Sequence, residues 1–144
     1  RLLDEVLAEF RQSFPDCLFS VTSTFSSAQV FGDSGLLKTA LRKLLDNARK
    51  YRYPSMAPIE VELASNADTF TLTVRNAIDP EKPLNRAELF ERYVRGGTRG
   101  NRSGLGLGLY LVQRILHDHG GQATIGQGQT NRFEICLILP RPQN

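Results

Sequence analysis

The chain has 144 residues, enough for one hydrophobic core and too few for two comfortable ones. Its 40% hydrophobic and 23% charged residues are ordinary for a soluble globular domain, and a net charge of +3 is too small for a bulk nucleic-acid binder. Two cysteines, Cys17 and Cys136, exclude a disulfide scaffold and a cysteine-rich zinc site, and no apolar run approaches the roughly 18 residues that span a bilayer.

Residues 1–14 carry Leu3, Leu7, Phe10 and Phe14 at spacings of four, three and four, which predicts a helix with a narrow apolar seam. Two readings of it stay open: a surface helix packed on the domain, or the tail of a helical bundle or linker followed by one domain over residues 15–144. The chain opens on Arg1 and lacks a signal-peptide pattern, so it reads as a piece of a longer protein. Residues 17–23 and 29–31 read as short strands, and Gly32-Asp33-Ser34-Gly35 as a turn that starts a helix.

Residues 36–51 form the clearest helix, with Leu37, Leu41, Leu44, Leu45 and Ala48 on one face. Asn47 lies at the flank of that stripe. Its amide oxygen is a donor that suits a hard cation such as Mg²⁺, and Lys50, one turn on, has the reach and charge for a phosphate. Alone, the two would read as surface residues of an amphipathic helix. Residues 59–64 and 69–74 alternate strictly and are joined by Ser65-Asn66-Ala67-Asp68, which predicts a half-buried hairpin. After Val74 the alternation ends, and residues 75–104, with Pro80, Pro83 and four glycines, read as a lid with one short helical stretch at 86–93.

Residues 105–119 predict a helix apolar almost all round, buried on more than one side and stopped by Gly120-Gly121. Residues 122–126 and 132–139 supply the last strands. The fold class is α/β (α+β): a mixed, mostly antiparallel sheet of about five strands with about three helices on one face.

Glycine and charge concentrate in one place. Of 12 glycines, six lie within residues 96–108, and Gly104-Leu105-Gly106-Leu107-Gly108 leads into a helix whose free N–H groups and dipole suit phosphate. Taken alone, this pattern equally describes a flexible loop. Residues 85–102 hold five Arg and two Glu, while the remaining charges balance, so the whole net +3 sits beside the glycines. Guanidinium forks match phosphate oxygens. A solvated loop is the plain alternative, and an RNA-binding arm lacks interleaved aromatics beyond Tyr93.

Three segments in register resemble the catalytic ATP-binding domain of bacterial two-component sensor histidine kinases, in the superfamily shared with gyrase and mismatch-repair ATPases. Leu44-Leu45-Asp46-Asn47-Ala48-Arg49-Lys50-Tyr51 is similar to the N box of these kinases. Leu89-Phe90-Glu91-Arg92-Tyr93-Val94-Arg95-Gly96 is similar to the F box, and Ser103 to Val112 to the second glycine box. Phe133 to Pro140 is similar to the closing strand.

The resemblance implies a Bergerat-type two-layer sandwich with ATP between the N-box helix and the lid. It implies Asn47 on Mg²⁺, Lys50 on phosphate and Tyr51 near the nucleotide. Gly104, Gly106 and Gly108, with the amides of Leu105 and Leu107, would wrap the phosphates, and Arg92 and Arg95 would add positive charge.

The first glycine box departs from the usual D-x-G-x-G and reads Asn76-Ala77-Ile78-Asp79-Pro80, where Asn76 can still accept from adenine through its side-chain oxygen. Lys43 stands where the related ATPases carry a glutamate base, and a lysine does not activate water at neutral pH, so hydrolysis is not the expected main activity.

The implied function is phosphoryl transfer from ATP to a histidine on a dimerisation bundle outside these residues, then to a response-regulator aspartate. The implied setting is the cytoplasmic part of a bacterial inner-membrane sensor, active as a homodimer, with any membrane contact made elsewhere in the parent chain. His117 and His119, at a helix end, are poor phosphoacceptors. Two other functions compete: a degenerate docking module with weak or no nucleotide binding, and a serine kinase of the anti-sigma-factor type.

Overall fold

The computed structural model describes residues 2–24, 32–53, 57–78, 104–126 and 132–141, and of Tyr51 and residues 104–109 only the backbone. The elements run α1 (Leu2–Ser13), β1 (Phe19–Ser23), α2 (Ser34–Tyr51), β2 (Ile59–Ser65), β3 (Thr69–Ala77), α3 (Gly104–Asp118), β4 (Gln122–Ile125) and β5 (Arg132–Pro140). The expected strand at 29–31 and helical stretch at 86–93 lie outside the described residues.

The five strands form one sheet in the order β1-β2-β3-β5-β4, parallel between β1 and β2 and antiparallel elsewhere. This is the mixed, mostly antiparallel sheet that the alternation implied. Val61, Val74 and Ile135 stand side by side across β2, β3 and β5, and all three are buried. With Ile59, Phe133, Leu137 and Ala123 they make the apolar face of the sheet, which the helices cover.

The α2 stripe is buried as its spacing required: Leu37, Leu41, Leu44, Leu45 and Ala48 all belong to the core, joined by Ala40. Asp33 caps the helix, its Oδ1 accepting from the Leu36 N–H at 3.0 Å. Along α1, Val6, Leu7 and Phe10 are buried in the same core, with Leu3 and Phe14 packed against it. Val6 broadens the seam beyond the four residues that the spacing singled out. The ion pairs Glu5–Lys38 and Glu9–Arg42, the latter at 2.9 Å, fasten α1 along α2.

One local reading changes. Over residues 110–118, where side chains are described, the helix buries one side: Val112, Ile115 and Leu116 are inside, while Leu111, Arg114, His117 and Asp118 face out. The final turn is secured by His119, whose Nδ1–H donates to Ile115 O (2.7 Å) while its Nε2 accepts from the Asp33 N–H (3.0 Å). Gly120 takes the positive φ of 77° that a helix stop requires, and Gly121 lies so near Ile138 O that a Cβ would strike it. Cys17 is buried but precedes β1, where burial raises its thiol pKa against the opposing Arg52 and Arg49, and Cys136 is only half-buried.

Candidate nucleotide site

The strand β3 extends three residues beyond Val74. Its inward positions continue as Val74, Asn76 and then Ile78, all buried, so the alternation does not stop there. What changes at residue 76 is polarity: an asparagine only 3% exposed takes an inward position opposite Phe133. Asn76 therefore belongs to a sheet strand rather than to the start of a loop. Its Nδ2 donates to Ala77 O at 3.1 Å, and the same carbonyl accepts from the Tyr53 N–H at 2.8 Å. That shared carbonyl ties Tyr53, two residues after α2, to the end of β3, bringing Asn76 beside the end of the helix that carries Asn47.

Asn47 lies deeper than the flank of a stripe suggests, at 7% exposure. Its Oδ1 is the one buried side-chain oxygen or nitrogen among the described residues with no hydrogen-bond partner. A buried acceptor without a partner costs about 1–3 kcal/mol. A hard-oxygen donor held this way fits a divalent cation that takes its remaining oxygens from phosphate and water.

Lys50, one turn further, is half-exposed, and its Nζ lies 3.3 Å from Asp46 Oδ2. Arg49 binds the other oxygen of Asp46 through Nη2 at 2.7 Å and Nε at 3.2 Å, and its guanidinium stacks 3.9 Å over the Phe14 ring. Burial pushes the Asp46 carboxyl pKa up, but the bonds to Arg49 and Lys50 outweigh it and hold the pKa below the ordinary aspartate value. Asp46 escaped sequence reasoning. The available signal was its i,i+3 and i,i+4 spacing to two cations.

Gly104 to Gly108 form the first residues of α3 rather than a loop before it. The first four amides of a helix lack intrahelical partners, and in α3 these belong to Gly104–Leu107. Arg92 and Arg95, like the side chain of Tyr51, lie outside the described residues.

On the opposite face of the sheet Arg75 meets three carboxylates: Nε to Glu134 at 2.7 Å, Nη2 to Glu62 at 2.9 Å and Nη1 to Glu60 at 3.8 Å. Each nitrogen of its guanidinium thus faces a carboxylate of the sheet itself.

Residues 32–143 match the family described as histidine kinase-, DNA gyrase B-, and HSP90-like ATPase. The probable sensor protein PcoS of Escherichia coli is 33% identical over 113 residues, covering 76% of this chain and 24% of that protein. The sensor protein SrrB of Staphylococcus aureus is 27% identical over 150 residues, covering 99% of this chain and 25% of that protein. Among solved structures, the mycobacterial sensor histidine kinase MprB is 29% identical with a TM-score of 0.72, covering 99% of this chain and 95% of the other. The catalytic domain of histidine kinase ThkA, at 20% identity, shares the fold, with a TM-score of 0.81 over 97% and 92% of the two chains.

The chain belongs to the histidine kinase-, DNA gyrase B-, and HSP90-like ATPase family. Within that family it is an ATP-binding catalytic domain of the sensor histidine kinase type. It spans about a quarter of the length of the curated relatives it matches. Among the described residues, no helix is long and apolar enough to cross a membrane.

Proposed function

We propose that this domain binds Mg·ATP and places its γ-phosphoryl group for transfer to a histidine on a dimerisation bundle of the parent protein, from which it passes to a response-regulator aspartate. The single observation that carries the reading is the buried, partnerless Oδ1 of Asn47 on the N-box helix. In phosphoryl transfer the protein chiefly positions groups and offsets charge, and such an oxygen is a positioning group.

Asn47 would hold Mg²⁺, which neutralises phosphate charge when bound. Lys50 would meet the phosphates, as would Gly104, Gly106 and Gly108 with the amides of Leu105 and Leu107 at the free end of α3. Arg92 and Arg95 would complete the positive wall, and Tyr51 would lie against the nucleotide. Because the Nδ2 of Asn76 is already bonded to Ala77 O, its oxygen is the group that would accept from the adenine amino group. Lys43 supplies no base for water, which favours transfer over hydrolysis. We place the parent protein in a bacterial inner membrane, with this domain on its cytoplasmic side and α1 as the link to the bundle. No nucleic acid enters this scheme.

Titration calorimetry with Mg·ATP tests the binding reading. Saturable heat is expected from the wild type, and a much weaker interaction from Asn47→Asp at unchanged helix content. No heat at millimolar nucleotide would instead make the domain a docking module. In the full-length protein, Asn47→Asp should lose autophosphorylation, and phosphate recovered on serine would favour the anti-sigma-factor type.

A further inference from the structure

We infer that Asp46 is a positioning residue that stores Lys50 in the nucleotide-free site and releases it to the phosphates. The inference rests on the reading of Lys50 as a phosphate contact.

The two oxygens of Asp46 do different work. Oδ1 is gripped by Arg49 through two nitrogens, and Arg49 is itself clamped against the ring of Phe14, so the carboxylate is fixed from one side. Among the described residues, Oδ2 meets a longer contact, Lys50 Nζ at 3.3 Å. Arg49 is one-quarter exposed and Lys50 nearly one-half, so the guanidinium is the anchor and the ammonium is the movable partner. Asn47 and Lys50 are three residues apart on α2, so the exposed, movable ammonium and the buried, partnerless Asn47 oxygen belong to neighbouring positions on one side of the helix. A nucleotide phosphate that takes Lys50 must therefore take it from Asp46. Arg49 keeps the carboxylate charged and in place, so Asp46 does not follow.

Breaking an exposed pair of this kind should weaken nucleotide binding by up to about fivefold, the equivalent of about 1 kcal/mol. The experiment is a double-mutant cycle on Mg·ATP affinity with wild type, Asp46→Asn, Lys50→Met and the double variant. Asp46→Asn is expected to lower Kd about two- to fivefold in the Lys50 background and to leave it unchanged in the Lys50→Met background. Asp46→Glu, which restores an i,i+4 acid–lysine pair, should return to the wild-type Kd.

Unchanged or weaker binding by Asp46→Asn overturns the inference. So does equal tightening in both backgrounds, which would be a bulk charge effect, or an Asp46→Glu variant that behaves like Asp46→Asn. If Lys50→Met binds Mg·ATP like the wild type, the phosphate role of Lys50 fails first, and the storage role with it. Should Asp46→Asn melt below the assay temperature, Asp46→Ser carries the same cycle.

Discussion

Two polar clusters flank the same sheet and are built on opposite rules. On the open face, Arg75 is met by Glu60, Glu62 and Glu134, and Arg132 reaches Glu60 as well. On the helix-covered face, Asn47 leaves its oxygen with no partner inside the core. A saturated cluster orders the strands and asks nothing of a ligand. An unsaturated buried group keeps a standing cost, and that cost is removed when something polar binds. The contrast is between polar groups that meet each other and one that meets nothing among the described residues.

Asn47→Leu should break the contrast most visibly. Mg·ATP affinity is expected to fall on the order of a hundredfold, the worth of roughly 3 kcal/mol for a bond to a charged group. The same change removes an orphaned acceptor, so the melting temperature should hold or rise. A calorimetric titration and a thermal melt on one sample read both, and a large loss of stability would show Asn47 to be structural.

His119 is a hydrogen-bonded polar group on the helix-covered side. With both ring nitrogens bonded between α3 and the cap of α2, His119→Ala should cost about 2 kcal/mol in denaturant unfolding. Its effect on nucleotide Kd should stay small. Arg75→Met should cost less, about 1 kcal/mol, because its partners are more than one-third exposed, and the loss should shrink at high salt. An Arg75→Met variant with altered nucleotide affinity would dissolve the distinction between the two faces.

The smallest effect concerns acid. Asp46 has its pKa lowered in the folded state, so its contribution is present above the ordinary aspartate value and is lost as pH falls through the lower folded value. The stability gap between wild type and Asp46→Asn should therefore be constant from pH 7 to about 5 and close below about pH 4. Paired urea titrations across that range check the sign.

Much of the fold was legible in the chain itself. The α2 stripe, the β2–β3 alternation and the Gly120-Gly121 stop each follow from local periodicity or local stereochemistry. The candidate site was legible in kind, because Asn47, Lys50 and the glycine run stand in register with known motifs. The end of β3 was not legible. A strand whose inward position turns from valine to asparagine looks finished, since only apolar residues announce an inward face. The exposed side of α3 was hidden for the converse reason, because Leu111 is as apolar as its buried neighbours yet faces out. Asp46 could be paired with Lys50 on spacing alone, but its grip by Arg49 depends on Phe14, 35 residues upstream.

What the sequence alone determined is therefore the main helices and strands among the described residues, the family to which they point, and the location of the whole net charge beside half the glycines. Those are properties of neighbours along the chain. Tertiary structure alone decided that the Asn47 oxygen is buried without a partner, that Asn76 sits in a strand beside the end of α2, and that the Arg75 cluster is closed. Burial and hydrogen-bond satisfaction depend on groups brought from distant parts of the chain, and only the packed fold fixes which of them meet.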